Sequence, residues 1–285
     1  MNTSHLKIAV IDAGPVGLSS AILLSQRHQV VVQDDIPVTV QMVNAGLCPH
    51  DDREMGHQLE YKTPGLRATR DIDDAVEGTD LVLIATPTDF DDTTRTVDTS
   101  RLDEVIVRVQ VLNPEATLVI ESTVPVGYTA RMSRRLSCHN LFAAPALLRP
   151  GLAMHDRLRP ARLVVGDVSP RGTSYAQLMQ TASELTEVPV VLTDSDEAEA
   201  IQLFAQKQLL TEQPVSFTEL ERYARRHRLD LMQLHAGLGF ELQPEPQLDQ
   251  IVVPSRVNPP RRAPGQHNRW FSTCSSGFFT LPAAL

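Results

Sequence analysis

The chain has 285 residues, of which 42% are apolar and 21% charged, and its net charge is −9. This length fits one large domain or two modest ones, and the acidic balance argues against a nucleic-acid binder or a polybasic membrane surface. No apolar run approaches the ~18 residues of a membrane span, and no cleavable signal sequence is recognisable. Cys48, Cys138 and Cys274 lie far apart, so their spacing indicates neither a metal site nor a disulfide framework. We therefore expect a cytoplasmic protein without a metal.

Short apolar segments alternate with helical patterns along most of the chain. The predicted strands are residues 6–12, 29–34, 80–86, 116–121, 162–166 and 188–192. The predicted helices between them are residues 15–27, 38–45, 72–77, 99–112, 127–136 and 173–186. Near-continuous apolar strands alternating with helices are typical of a parallel sheet covered on both faces. The sequence thus predicts an α/β fold of the Rossmann type, a doubly wound parallel sheet, over residues 1–193.

A helical segment over residues 194–240 is predicted to follow the sheet, because a capping residue and acidic first-turn residues open a long helical pattern at Asp194. Pro214 interrupts that helix, and further helices are predicted at 217–228 and from Asp230. The segment carries more apolar side chains than one helix face needs, namely Ile201, Leu203, Phe204, Leu209 and Leu210. An exposed apolar patch would result. We expect a homodimer through the 195–240 helices; the alternative is that the chain's own tail covers the patch.

Residues 241–285 differ from the rest of the chain. They contain seven prolines and four arginines but no lysine, and no helical or strand period is evident. Such a composition indicates an irregular or partly disordered segment. We therefore expect a proline- and arginine-rich tail that belongs to neither of the two preceding segments.

The turn after the first predicted strand carries a dinucleotide-binding pattern. Residues 12–17 (DAGPVG) match G-x-G-x-x-G with aspartate in place of the first glycine, and Asp34 ends the next strand. Gly14 would let the backbone approach a diphosphate, Gly17 would let the helix pack on the strand, and Asp34 would bind a ribose hydroxyl. The pattern predicts NAD rather than NADP, because a 2′-phosphate would meet the Asp34 carboxylate.

Two residues of this turn are expected to weaken NAD binding. Asp12 places a carboxylate near the diphosphate, and two like charges ~4 Å apart at an effective dielectric constant of ~20 repel by ~4 kcal/mol. Pro15 removes one backbone N–H from the helix start that would hold the phosphates. An alternative stays open, in which the turn is retained but no longer binds a nucleotide.

Five segments together resemble one known family. They are IAVIDAGPVGLSSAILLSQRHQVVVQD, LVLIATPTDFDD, VIESTVPVGYTARM, APALLRPGLAMHDRLRPARLVVG and DSDEAEAIQLFAQ. Over roughly residues 6–240 the chain is similar to the UDP-glucose/GDP-mannose dehydrogenase family, and within it to the UDP-glucose 6-dehydrogenases. The resemblance implies an NAD-binding Rossmann domain, a long central helix that builds a dimer, and a C-terminal domain that binds UDP. We expect this last domain to be absent.

The resemblance also implies a chemistry, in which the sugar C6 alcohol is oxidised twice to a uronate. A cysteine thiolate holds the aldehyde and then forms a thioester. A lysine and an asparagine on the central helix stabilise the oxyanion, while a glutamate and a threonine handle protons. The positions that match the family's cofactor site are Gly14, Pro15, Val16, Gly17, Asp34, Thr86, Pro87, Ser122 and Thr123. Thr123 also matches the proton-handling threonine, and Arg149 matches the arginine of the family's S-P-E-F-L-R motif.

The catalytic positions depart from the family pattern. The glutamate, the helix lysine, the helix asparagine and a later asparagine are replaced by Ala146, Gln202, Gln206 and Thr218. The cysteine motif has only a faint echo, in which Thr280 replaces the nucleophile, and Cys274 lies outside any matching motif. We therefore assign no residue a catalytic role. The leading hypothesis is an inactive homologue that retains NAD(H) binding or binds a protein partner. The alternatives are a divergent active NAD-dependent nucleotide-sugar dehydrogenase and a decayed gene product without function.

Overall fold

The computed structural model describes residues 5–61, 63–91, 96–211 and 215–240. Its strands are β1 (Lys7–Ile11), β2 (Gln29–Gln33), β3 (Leu66–Thr69), β4 (Leu81–Ile84), β5 (Asp89–Asp91), β6 (Thr96–Asp98), β7 (Thr117–Ile120), β8 (Leu141–Ala143), β9 (Leu163–Val165) and β10 (Val190–Leu192). Its helices are α1 (Pro15–Ser25), α2 (Pro37–Asn44), α3 (Arg53–Tyr61), α4 (Ile72–Val76), α5 (Ser100–Leu112), α6 (Tyr128–Leu136), α7 (Ala153–Leu158), α8 (Pro170–Ala182), α9 (Ser195–Thr211), α10 (Phe217–His227) and α11 (Leu231–Leu238).

Six strands form one parallel sheet in the order β3-β2-β1-β4-β7-β8. The chain moves outward from β1 to β3, then returns to β4 on the other side of β1, so the strand order reverses between β1 and β4. Helices cover both faces: α1, α7 and α8 pack on one side, while α4, α5 and α6 pack on the other. The predicted doubly wound sheet is therefore confirmed, and the reversal marks the edge where such folds bind ligands.

Two predicted strands lie outside this sheet. β9 and β10 pair with each other in a separate parallel pair, and a hydrogen bond from the Gly166 N–H to the Ala143 carbonyl, 2.7 Å long, connects this pair to the end of β8. No prediction from the sequence covered α3, β3, β8, α7 or the β5–β6 hairpin. Strand β3 (LRAT) has no continuous apolar run, and β5, β6 and β8 have three residues each, so these strands carry little periodic signal. Helix α3 has nine residues and buries Met55 and Leu59 at helical spacing, a pattern that the sequence analysis overlooked.

The three helices after the sheet pack on one another as well as on the sheet. Ile201 and Phe204 of α9 are fully buried in a cluster that includes Leu220 of α10 and Leu234 of α11. A Cβ at Gly237 would lie 2.2 Å from the Ile201 Cδ1 atom, so glycine permits the close approach of α11 to α9. The expectation that Ile201 and Phe204 add to an exposed patch is therefore wrong, because α10 and α11 cover them.

The remaining predictions concern apolar side chains on α9, the tail, membrane spans and metal sites. Leu203 is half-buried and Leu209 is 42% exposed, whereas the Leu210 side chain, Thr280, Cys274 and the tail lie outside the described residues. None of the helices in the described ranges is long and apolar enough to cross a membrane. The same ranges contain no group of three or more His, Cys, Asp or Glu side chains that could hold a metal ion.

Candidate functional site

The residues singled out in the sequence meet at the carboxyl edge of the sheet. The glycine-containing turn (12–17) follows β1, and Asp34 follows β2. Thr86 follows β4 and Thr123 follows β7. Because β2, β1, β4 and β7 are consecutive parallel neighbours, these four segments lie side by side where the strand order reverses.

The turn after β1 is held in a tight and unusual conformation. Asp12 has φ +84°, in the left-handed region that disfavours a residue with a side chain. A Cβ at Gly17 would lie 2.1 Å from the Asp12 carbonyl oxygen and 3.1 Å from the Ala85 Cβ. Gly17 is therefore required for α1 to pack on the strands, as the sequence pattern predicts, whereas Asp12 occupies a backbone position suited to glycine.

The backbone N–H groups of this turn are already hydrogen-bonded to the chain's own carboxylates. The Gly14 N–H donates to the Asp12 Oδ1 atom at 2.8 Å, and the Ala13 N–H donates to the Asp34 Oδ2 atom at 3.0 Å. Pro15 has no N–H to offer. In a dinucleotide site, the N–H groups at a helix start hold the diphosphate. Here Asp12 and Asp34 occupy two of these donors before any ligand arrives.

The charge around the turn is predominantly negative. Burial raises the pKa of Asp12, the Gly14 N–H opposes this, and the negative charge of Asp34 adds to the increase. Asp34 is itself buried and accepts a second hydrogen bond from the Ile36 N–H at 2.8 Å. Arg101 opposes this negative charge, but it forms an exposed ion pair with Asp35 at 2.9 Å. The His50 Nε2 atom also contacts the turn, 2.6 Å from the Ala13 carbonyl oxygen. A diphosphate at this turn would meet the carboxylates of Asp12 and Asp34, which already accept the turn's N–H groups.

A cavity of about 240 Å³ opens beside the turn, between the ends of β4 and β7 and the helix α9. Eight positions singled out in the sequence line it: Val16, Thr86, Pro87, Ser122, Thr123, Ala146, Gln202 and Gln206. The Thr86 Oγ1 atom is buried and has no hydrogen-bond partner within the described part of the chain. Part of the cofactor set thus shares one cavity with catalytic positions of the family, whereas Gly14, Pro15, Gly17 and Asp34 are not among its lining residues.

Two amide side chains converge on one hydroxyl in this cavity. The Nε2 atoms of Gln206 and Gln202 donate to the Thr123 Oγ1 atom at 2.5 Å and 3.3 Å. The Thr88 hydroxyl donates to the Thr123 carbonyl at 2.6 Å. The arrangement orients Thr123 with neutral groups alone. Within the described residues, the lining contains no cysteine, lysine, arginine or histidine, and its one carboxylate, Glu121, is engaged elsewhere.

Two other predicted positions lie away from this network. The Arg149 guanidinium pairs with Asp156, with an Nη2–Oδ1 distance of 2.5 Å, and this ion pair lines a neighbouring cavity. Thr218 is exposed on α10 and is not part of the lining around Thr123. The later asparagine position is therefore not brought to the cavity by the described part of the chain.

A buried ion pair between Glu121 and Arg157 borders the cavity, and the sequence analysis did not predict it. Glu121 is fully buried, and its two carboxylate oxygens accept hydrogen bonds from Arg157 at 3.2 Å and 3.1 Å. Hydroxyls of Ser20 and Tyr175 complete its shell at 2.7 Å and 3.2 Å. The four side chains join the end of β7 to α1, α7 and α8, so they fix the backbone that carries Thr123. The sequence signal that could have indicated this pair is an acidic residue, Glu121, directly after the apolar segment TLVI.

Removing the cation from this pair should destabilise the fold. We expect Arg157→Met to lower the free energy of unfolding by roughly 3 kcal/mol, because Glu121 would keep an uncompensated buried charge. The measurement is urea unfolding followed by circular dichroism. The double variant Arg157→Met with Glu121→Gln should recover much of the loss. Equal stability of the wild type and the single variant would show that the pair contributes little.

A second buried carboxylate, Glu199 of α9, holds the start of α6. It accepts hydrogen bonds from the N–H groups of Gly127, Tyr128 and Thr129 at 2.6 Å, 3.2 Å and 2.8 Å. These donors lie at the helix N-terminus, where N–H groups lack intrahelical partners. Burial nevertheless raises the pKa of Glu199 to about 7, against the effect of the N–H groups. The contact fixes α9, and with it Gln202, against the loop that follows Thr123.

The raised pKa of Glu199 predicts a pH dependence of stability. The folded state keeps the proton to a higher pH than the unfolded chain, whose ordinary value is 4.5. Stability from the protonated form is therefore complete below about 4.5 and is lost as the pH rises through about 7. We expect a decrease of at most ~3 kcal/mol between these limits from this group. Urea unfolding at several pH values measures it. Glu199→Gln should flatten the profile, and parallel profiles would contradict this assignment.

The order of the strands in the parallel sheet and the glycine-containing turn after β1 together define a Rossmann-type dinucleotide-binding domain. Residues 6–185 match the UDP-glucose/GDP-mannose dehydrogenase family, NAD binding domain. The UDP-glucose 6-dehydrogenase of Campylobacter jejuni is 32% identical over 238 residues, which are 83% of this chain and 60% of the relative. That of Streptococcus pneumoniae is also 32% identical, over 77% of this chain and 57% of the relative. The chain thus spans about 60% of the length of these relatives.

Solved structures agree with the fold. The GDP-mannose dehydrogenase of Pseudomonas aeruginosa, solved as a ternary complex, matches with a TM-score of 0.65 at 21% identity, over 80% of this chain and 55% of that one. A UDP-glucose dehydrogenase from the archaeon Pyrobaculum islandicum matches with a TM-score of 0.63 at 19% identity, over 84% of this chain and 68% of that one. The chain belongs to the UDP-glucose/GDP-mannose dehydrogenase family, and the family resemblance found in the sequence is confirmed.

Proposed function

We propose that this protein is a catalytically inactive member of its family that retains a nucleotide site with reduced affinity for NAD(H). The observation that carries the proposal is the replacement of family catalytic groups by uncharged ones in the cavity around Thr123. Of the family catalytic positions that line it, Thr123 is retained, whereas the other three hold Ala146, Gln202 and Gln206. An alanine cannot relay a proton, and a glutamine amide carries no positive charge for a developing oxyanion.

In the chemistry that the family resemblance implies, the replaced groups act together. Catalytic residues act as a unit, so the removal of one member already costs much of the transition-state stabilisation. Gln202 and Gln206 also donate to the same Thr123 oxygen, so one N–H of each amide holds Thr123. The second N–H and the carbonyl oxygen of each amide carry no charge, so they cannot replace the cation that the family chemistry needs at a developing oxyanion.

Reduced NAD affinity is supported by the turn after β1. Asp12 accepts the Gly14 N–H, and Pro15 lacks an N–H, so fewer donors remain for the diphosphate. Isothermal titration calorimetry with NAD tests this part of the proposal. We expect weak but measurable binding, with still weaker binding of NADP because of Asp34. Titrations without heat for either dinucleotide would contradict retained NAD binding.

The proposal includes a homodimer through the α9–α11 helices. Leu209 of α9, Phe217 of α10 and Met232 of α11 are exposed apolar side chains on these helices, at 42%, 58% and 54%. Exposed apolar patches of this kind are typical of protein–protein interfaces. The alternatives are that a different protein partner or the chain's own tail covers them. Light scattering at high micromolar concentration should show twice the monomer mass, and Phe217→Asp should reduce it. A monomeric wild type would contradict the dimer.

We place the protein in the cytoplasm. The support is the cysteine chemistry of the described residues, in which Cys48 and Cys138 are free thiols. Burial raises the pKa of both thiols, so both stay protonated and unreactive at neutral pH. Free thiols of this kind are usual in a reducing compartment.

A further inference from the structure

The turn after β1 has a carboxylate oxygen without a hydrogen bond from the described residues, beside N–H groups of the kind that hold the diphosphate in a dinucleotide site. Asp12 uses its Oδ1 atom to accept the Gly14 N–H, and its Oδ2 atom accepts no hydrogen bond from the described part of the chain. Asp34 and Asp35 add negative charge around Asp12, and the Gly14 N–H and Arg101 oppose it. Arg101 is already paired with Asp35. An unpaired acceptor in an acidic surrounding favours a cationic ligand group over an anionic one.

A second, independent feature indicates that a ligand group enters beside the turn. The Thr86 hydroxyl is 1% exposed and lacks a hydrogen-bond partner among the described residues. It lines the cavity of about 240 Å³ together with Val16, the second residue of α1. Buried polar groups without a partner are rare in folded proteins, so each one calls for a missing partner. A polar group of a ligand that crosses the turn would supply it.

The residue that would recognise the adenosine half of a nucleotide, Asp34, is retained in this chain. Asp34 directly follows β2. One of its carboxylate oxygens accepts the Ala13 N–H of the turn, and the other accepts the Ile36 N–H. An ionised carboxylate has about four acceptor positions, so both oxygens can still accept from ribose hydroxyls. Ile36, 55% exposed and two residues further on, offers an apolar surface for the base. The group that recognises ribose is thus retained, while fewer N–H donors remain for a diphosphate.

We propose that this site takes an adenosine ligand whose 5′ substituent is a cation instead of a diphosphate, with the cation held by the Asp12 carboxylate. The inference rests on the nucleotide-binding function proposed above and names the ligand class of the same site. Asp12 then acts as a ligand residue rather than as an obstacle. The substitution of the first glycine of the turn, the loss of an N–H at Pro15 and the acidic surroundings all change the site in the same direction.

A series of three adenosine derivatives tests the inference on the full chain. 5′-Amino-5′-deoxyadenosine carries an ammonium, adenosine a neutral hydroxyl, and adenosine 5′-monophosphate an anion, with the same base and ribose. Calorimetry at pH 7 should give the order ammonium, hydroxyl, phosphate from tightest to weakest, with about tenfold between neighbours. Asp12→Gly should reverse the order. The isosteric Asp12→Asn should fold and bind all three within about threefold of one another.

Failure of the inference and failure of the proposed function give different results. If NAD binds and the phosphate derivative binds as tightly as the ammonium derivative, the inference is overturned and nucleotide binding stands. An ammonium preference that persists unchanged in Asp12→Asn also overturns it, because Asp12 would not be the recognition group. If neither NAD nor any of the three derivatives binds, both the inference and retained nucleotide binding are overturned.

Discussion

The Asp12→Gly variant should bind NAD more tightly than the wild type, by up to ~4 kcal/mol, which is about three decades in affinity. The variant removes a carboxylate that accepts the Gly14 N–H at 2.8 Å, so that donor becomes available to a phosphate oxygen. It also removes a like charge from the place of the diphosphate. The full effect requires the carboxylate to face the phosphates, and a carboxylate that turns to solvent would give much less. Calorimetry with NAD measures the change.

The same variant should be more stable than the wild type. Asp12 has φ +84°, a region that glycine enters without steric cost and that aspartate, like asparagine, enters at less than the ~1–2 kcal/mol that other side chains cost there. Asp12→Asn is the matched control, because asparagine tolerates the left-handed region and keeps the side-chain size without the charge. Unchanged or weaker NAD binding in Asp12→Gly would show that Asp12 is not the obstacle.

The fold of the sheet could be predicted because its strands are apolar and its helices periodic. The central strands β1, β2, β4 and β7 lie within the predicted segments, and the turn at Gly14 opens α1 as expected. Strand β3 (LRAT) and helix α7 (AMHDRL) were missed because charged and polar residues interrupt their apolar residues. Prediction also failed for the burial of Phe204 by α10, since covering one helix with another depends on tertiary contacts.

The candidate site could be predicted as a set of residues but not as a set of contacts. The family resemblance named Thr123, Gln202 and Gln206, which the structure brings within hydrogen-bond distance. It gave no sign that Asp12 folds back onto the Gly14 N–H, because a pattern specifies residue types and not side-chain directions. The Glu121–Arg157 pair joins residues 36 positions apart, a separation at which one sequence carries no pairing signal.

The largest effect expected is the absence of sugar oxidation. The resemblance implies that oxidation of UDP-glucose to the uronate needs a thiolate for the aldehyde and a cation and an amide for the oxyanion. The described cavity offers the hydroxyl of Thr123 and the amides of Gln202 and Gln206. A hydroxyl held by two amides cannot form the thioester that the second oxidation requires. Any residual chemistry from bound NAD would stop at the aldehyde.

The most direct test of catalytic inactivity is the absorbance of NADH formed from millimolar UDP-glucose and NAD by micromolar protein. The Campylobacter jejuni relative, named UDP-glucose 6-dehydrogenase, serves as the active control under the same conditions. We expect no NADH above the background without protein, and none after Asp12→Gly restores tighter NAD binding. Sustained formation of two NADH per sugar by the wild-type chain would contradict inactivity and would show that another group has replaced the missing nucleophile.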